Sequence, residues 1–215
     1  MFHVKHGYKR VEVNISALQK ARKIYQDYEK DLENYLDHLL EWNSKINLVS
    51  RTVSRETLRE HIVHSLIPAA LNMTDNHIKW IDAGTGGGLP GIPLAITDRD
   101  AYWLLNDNVK KKMKAVEDIV KSIGLKNVKV LAMSISLAEL HKGTGIVTKH
   151  AFKIDDLLRL LGSKPWKTIL MWKGVEGAID EFKASKKKLN CTIYEFKFGD
   201  SEPFYEGKGI VKIER

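Results

Sequence analysis

Apolar residues between positions 16 and 47 recur at helical spacing: Ile24, Tyr28, Leu32, Tyr35, Leu36, Leu39, Leu40, Trp42 and Ile46. Charged residues fill the gaps, which predicts an amphipathic helix broken once. Ser54, with Glu56 and Thr57 behind it, predicts a second helix running to about Ala70 and kinked or shortened near Pro68. From Ile78 onward the texture changes. Short apolar runs (Ile78–Ile81, Ala101–Leu105, Val128–Leu131, Gly145–Thr148 and Thr168–Trp172) alternate with helix-length segments at about 91–97, 110–123, 155–162 and 175–188. Strands separated by helices imply right-handed crossovers and a parallel sheet covered on both faces. Two further runs, Cys191–Phe198 and Gly209–Ile213, are joined by a short Gly/Pro-containing connection and predict an antiparallel pair at the sheet edge. The expected architecture is α/β: an N-terminal helical extension over residues 1–75, and a doubly wound, Rossmann-like domain over 76–215, together one structural unit.

The strongest local signal is Trp80-Ile-Asp-Ala-Gly-Thr-Gly-Gly-Gly-Leu-Pro-Gly91, which follows the first strand and opens a helix. Bare backbone at the carboxyl edge of such a sheet admits a ligand closely. Gly86-x-Gly88-x-x-Gly91 matches the dinucleotide fingerprint, with Asp107 after the next strand as its acid. Asp82, two residues before Gly84, fits instead the first motif of class I S-adenosylmethionine (SAM) methyltransferases. That ligand has no pyrophosphate to cradle, and its sulfonium and amino groups favour a nearby carboxylate. Asp107 would then accept hydrogen bonds from the ribose hydroxyls. A ligand-free tight turn is a third reading, disfavoured by five glycines in eight residues.

Composition narrows the partner. The 215 residues carry 35 Lys and Arg against 27 Asp and Glu, a net charge of +8, which suits a polyanion as well as a basic solvated surface. One cysteine, Cys191, excludes an intrachain disulfide framework and a Cys-based zinc site. With no apolar signal core and no membrane-length apolar run, a cytosolic protein with no membrane partner is expected. A monomer is the expected state.

Several segments together resemble one known family. These are Leu40-Glu-Trp-Asn43 with Ile46-Asn-Leu-Val-Ser50, His61-Ile-Val-His-Ser-Leu66, the run Asp82–Leu94, Lys111-Lys112 and Trp172-Lys-Gly174. The family is the ribosomal RNA small-subunit methyltransferase G group, also called glucose-inhibited division protein B. The resemblance implies a SAM-dependent enzyme that methylates N7 of a guanine in the 530 loop (helix 18) of 16S rRNA, with the small ribosomal subunit as partner. It implies cofactor contacts at Asp82, Gly84, Gly86, Leu89, Asp107, Ile135, Ser136 and Lys149. Three positions depart from the family pattern. Lys149 stands where an Arg is usual, Ser134-Ile-Ser136 lacks the usual Arg and Glu, and His64 replaces an Asp. The rival readings are a methyltransferase of another RNA base or a small molecule, a non-catalytic RNA- or ribosome-binding protein, and, last, an NAD-linked oxidoreductase.

Guanine N7 carries a lone pair and no proton, so the transfer needs positioning rather than a general base. No residue is assigned as catalytic and no metal ligand set is expected. RNA contacts are expected from Lys111, Lys112, Lys149, Lys173, Arg51 and Arg55, with Arg59 and Lys110 as neighbours. Neutralising Lys111 and Lys112 together is expected to weaken RNA and spare SAM. Lys183 and Lys186–Lys188 suit the end of a helix. Trp42 reads as a packing residue, and Asn43 and Asn47 read as braces at the helix-to-sheet junction.

Overall fold

The computed structural model describes residues 7–74, 79–185 and 189–215. Ile78 and Lys186–Lys188, which figure in the expectations above, lie outside these residues. The chain order is β1 (Lys9–Asn14), α1 (Ile15–Asp27), α2 (Glu29–Lys45), α3 (Arg55–Ala70), β2 (Lys79–Ala83), α4 (Gly91–Thr97), β3 (Tyr102–Asp107), α5 (Lys110–Ser122), β4 (Val128–Ala132), β5 (Gly145–Lys149), α6 (Ile154–Leu161), β6 (Thr168–Gly174), α7 (Val175–Ala184), β7 (Asn190–Lys197) and β8 (Lys208–Glu214).

The described strands form one sheet in the order β1-β7-β8-β6-β5-β2-β3-β4. Strands β4, β3, β2, β5 and β6 run parallel, as the strand–helix alternation predicts. The last two strands pair antiparallel, Cys191 opposite Ile213, and β8 also runs antiparallel to β6. Two expectations need correction. The antiparallel pair is not at the edge, because β1 adds to β7 in parallel, Val11 opposite Tyr194. The N-terminal segment therefore contributes a strand as well as helices. Only two apolar residues, Val11 and Val13, alternate in Lys9–Asn14, too short a period-2 signal to read. The pairing is stabilised from afar: Arg10 donates to Glu195 of β7 at 2.6 Å.

The single break in the first helical pattern falls at Tyr28, between α1 and α2. Ser54 caps α3, its hydroxyl accepting from Thr57 N at 3.1 Å, and Pro68 sits in the last turn before the helix ends at Ala70. Helices α1 to α5 pack on one face of the sheet around Trp80, Trp103 and Trp172, and α6 and α7 pack on the other. Trp80 and Trp103 stack with ring centroids 5.7 Å apart. The extension thus shares a core with the sheet and lies on the same face as α4 and α5. Its packing brings α2 and α3 to the carboxyl edge of the strands. No helix among the described residues is long and apolar enough to cross a membrane.

Candidate functional site

The loop after β2 is tied from below and behind. Asp82, fully buried at the end of β2, accepts from Thr85 Oγ1 at 2.6 Å and from Gly91 N at 2.8 Å. Gly84 N and Thr85 N donate to Asn106 O at 2.8 and 3.0 Å. Helix α2 reaches in from the extension, where the Tyr35 hydroxyl donates to Gly87 O at 3.0 Å. Gly91 packs so closely that a Cβ there would lie 2.3 Å from Leu105 Cδ2 and 2.7 Å from Asp82 Oδ2. Burial pushes the Asp82 carboxyl up to about 7, against the pull of its two donors. Its Oδ1 has no hydrogen-bond partner among the described residues.

Above this loop lies a cavity of about 590 Å³, large enough for a cofactor-sized ligand. It gathers Gly84, Gly86, Asp107, Ile135, Lys149 and Lys112 from five separate segments. Asp107 ends β3 and presents its carboxylate at this cavity. Its Oδ2 accepts from Gly86 N at 3.2 Å and its Oδ1 from Val109 N at 2.9 Å. Asn106 also borders the cavity, but its amide is committed to Leu131 O and Met133 O at 3.3 and 2.8 Å. Gly86 has φ of +58°, and a Cβ built there would meet only Leu48 O, at 3.6 Å; the remaining space is the cavity's own.

A smaller cavity of about 180 Å³ adjoins it and takes in Leu89, with Val49, Val53 and His61. The segment that walls it is braced by Asn43, whose Oδ1 accepts from Leu48 N and Val49 N, both at 3.0 Å, and whose amide donates to Ser50 O at 3.2 Å. Asn43 is thus a brace, but of the loop between helices α2 and α3 and not of a helix-to-sheet junction, while the exposed Asn47 accepts from Arg51 alone among the described residues. Trp42 is half-buried, and its indole donates to Asp118 of α5 at 2.9 Å.

The remaining predicted residues are placed differently. Asp82 lies beneath the loop and lines neither cavity, and Ser136, in a short 3-10 turn, is held by Ser134 and also lines neither. Lys149 borders both cavities, but its ammonium is turned into α3, donating to His61 O at 2.8 Å and Ser65 Oγ at 3.2 Å. Burial pushes it down to about 7, partly offset by the Asp82 carboxylate. An exposed phosphate contact, as expected above, does not fit this placement. Lys173 is 13% exposed and paired with Glu181 at 2.7 Å, so its charge is already met. Arg55 donates to Asp37 and Glu33, both at 2.5 Å, and Arg59 also pairs with Glu33. Both arginines thus join α3 to α2 instead of standing free for RNA. Arg51 is exposed, donates to Asn47 Oδ1 at 3.0 Å, and pairs with no acid among the described residues. Lys110, Lys111 and Lys114 are exposed on α5, whose first turn carries no acid.

Two histidines lie at this edge, His61 from the segment that resembles the family and His150, to which the sequence reading gave no role. His61 lines the smaller cavity and His150 borders both; burial pushes their imidazoles down to about 3 and about 4. The signal for His150 was its place one residue beyond the carboxyl end of a strand. His64 is fully buried among the rings of Phe196, Phe204 and Tyr205, and neither ring nitrogen finds a partner among the described residues.

Because Arg55 is already paired, Arg55→Ala is expected to lower stability by roughly 0–1 kcal/mol, the usual range for partly exposed ion pairs. The RNA affinity should stay unchanged, and chemical denaturation alongside filter binding checks both.

The sheet order and the glycine loop at its carboxyl edge are those of the class I SAM-dependent methyltransferases. Solved structures of that fold superpose on the chain. One is an O-methyltransferase from Bacillus cereus, with TM-score 0.57 and 15% identity over 84% of this chain and 90% of the other. Another is a tRNA (m1A58) methyltransferase from Aquifex aeolicus, with TM-score 0.52 and 17% identity over 70% and 67%. The model of the rRNA small subunit methyltransferase G family matches residues 28–198. Relatives bearing that name include one from Chlorobium phaeobacteroides, 34% identical over 86% of each chain. Another, from Chlorobium chlorochromatii, is 42% identical over 80% of this chain and 77% of its own. The chain belongs to the rRNA small subunit methyltransferase G family.

Proposed function

We propose that the protein transfers the methyl group of SAM to N7 of a guanine in the 530 loop of 16S rRNA, acting on the small ribosomal subunit. The observation that carries the reading is the cavity in which Gly84, Gly86, Asp107 and Ile135 converge at the carboxyl edge of the sheet. The residues present fit the cofactor. The space a Cβ at Gly86 would fill is open, and Asp107 offers a carboxylate for ribose hydroxyls. Ile135, beside Met133 and Ser134, offers an apolar surface for the adenine ring, in place of the family's Arg and Glu there.

SAM, when bound, supplies an electrophilic methyl group on a cationic sulfonium. The protein's share is alignment and the exclusion of water. The loop backbone and Asp107 hold the cofactor. The histidines at the site, their imidazoles held neutral by burial, add no positive charge beside the sulfonium. No side chain has to take a proton from N7. Arg51 and the exposed lysines of α5 supply charge for the RNA backbone around this edge.

The test separates cofactor from RNA. Calorimetry should show binding of SAM and none of NAD. RNA affinity should fall with salt by a log–log slope of about −0.7 per phosphate contact on single strands. Lys112 lines the cofactor cavity, which corrects the choice of Lys111 with Lys112 as the pair to neutralise. Lys110→Gln with Lys111→Gln is the cleaner variant. It should flatten the slope by about 1.4 and leave SAM affinity unchanged. An unchanged slope, or a parallel loss of SAM, contradicts the assignment of this helix to RNA.

A further inference from the structure

The two cavities share Leu48, Gly84, Lys149 and His150, so they adjoin at the carboxyl ends of β2 and β5. The larger has the volume of a site that encloses a whole small ligand, about 300–1,000 Å³. The smaller, at about 180 Å³, falls below that range and has room for one planar heterocycle without its sugar. Its walls are largely apolar, from Val49, Val53, Leu58 and Leu89, with His61 and His150 adding imidazole rings. Surfaces of this kind hold unstacked bases.

Lys149 stands where the cavities meet. An ammonium has three donors and no acceptor. Two are held by α3, through His61 O and Ser65 Oγ. The third has no partner among the described residues, on a side chain that borders both cavities. The next residue, His150, has φ of +57°, a left-handed conformation uncommon for a residue with a side chain. Backbone strain of this kind concentrates at ligand clamps.

We propose that the smaller cavity receives the acceptor base, and that Lys149 selects guanine by donating its third N–H to O6. The proposal rests on the reading of the protein as a guanine-N7 methyltransferase and names the residue that reads the base. Guanine carries two acceptors, N7 and O6, on one edge; adenine carries N7 beside an amino donor. In the protonated form, which an acceptor such as O6 favours, two donors are fixed by α3 and the third would face adenine's amino group, donor against donor. A buried donor left unpaired is how a site rejects the wrong analogue. Lys149 moves no proton in this scheme. It determines specificity by orientation.

The partner atom can be removed from the RNA without touching the protein. 2-Aminopurine keeps N7 and the ring but bears hydrogen where guanine bears O6. Small subunits assembled with either base at the methylated position are treated with labelled SAM and the wild-type protein, Lys149→Met or Lys149→Gln, and kcat/KM is measured for each pair. Differences in intrinsic reactivity between the bases cancel when the guanine-to-2-aminopurine ratios of two proteins are compared. The ratio for wild type should exceed that for Lys149→Met by roughly 30-fold, the scale of one hydrogen bond from a charged donor. Lys149→Gln, which keeps a donor, should fall between them. If Lys149 only braces α3, both bases slow by the same factor and the ratios agree, which overturns the proposal. Should Lys149→Met fail to fold, the same comparison with Lys149→Gln decides. A wild-type protein that binds SAM but methylates no guanine in the subunit overturns the underlying reading, and the proposal with it.

Discussion

Gly86→Val is expected to lower SAM affinity by more than about 100-fold, a loss near 3 kcal/mol, while the protein still folds. Two effects combine. At φ of +58° a β-branched residue is strained, by roughly 1–2 kcal/mol. The added atoms meet little of the protein, since only Leu48 O lies within 4 Å of the Cβ, so they project into the cavity that Gly86 lines. The melting temperature should drop by only a few degrees, because the strain is local. Gly86→Asn separates the two effects, since Asn tolerates the left-handed region but still carries a Cβ. It should melt close to wild type and still bind SAM weakly. Normal SAM binding by Gly86→Val would remove the glycine loop from the cofactor site.

Asp107→Ala should weaken SAM by about 1–3 kcal/mol, the usual loss when hydrogen bonds to a charged acceptor disappear. The neighbouring Asn106→Ala should act on stability instead. Its amide ties the end of β3 to Leu131 O and Met133 O, and truncation leaves two carbonyls without their donor. Calorimetry and denaturant titration on both variants test the division. Sequence alone leaves the register open by one residue, because both side chains follow the same apolar run. The structure sends Asn106 toward β4 and leaves the Asp107 carboxylate at the cavity.

That contrast shows what could be read in advance. The helices after β2, the parallel strands and the glycine loop follow from local period and turn chemistry and lie where the pattern puts them. The exception is the last helix, expected to run to about 188, which ends at Ala184 with Ser185 already extended. Asn43 was legible as a brace because a polar residue at a helix end has few other partners. Strand β1 was not legible: its pairing depends on β7, with Lys9 opposite Thr192, 183 residues on, and on the Arg10–Glu195 contact. The same limit applied to charge. Arg55 and Lys173 look like free cations in a basic sequence, but packing of α2 against α3 brings Glu33 and Asp37 to the first, and the turn from β6 into α7 brings Glu181 to the second. The ammonium of Lys149 turns inward because α3 crosses the end of β5, a fact of tertiary packing that no local pattern records. Lys111 and Lys112 are neighbours in sequence, but the helix turns one to solvent and the other toward the cavity.

The central claim is methyl transfer to guanine N7 in the small-subunit rRNA, and one measurement addresses it directly. Unmethylated small subunits are incubated with the purified protein and SAM bearing a deuterated methyl group, and the 16S rRNA is digested and its nucleosides resolved by mass spectrometry. The account predicts a single labelled product, 7-methylguanosine, recovered from a fragment containing the 530 loop. Label on another base or another ring atom, or no label in RNA from a protein that binds SAM, would contradict it.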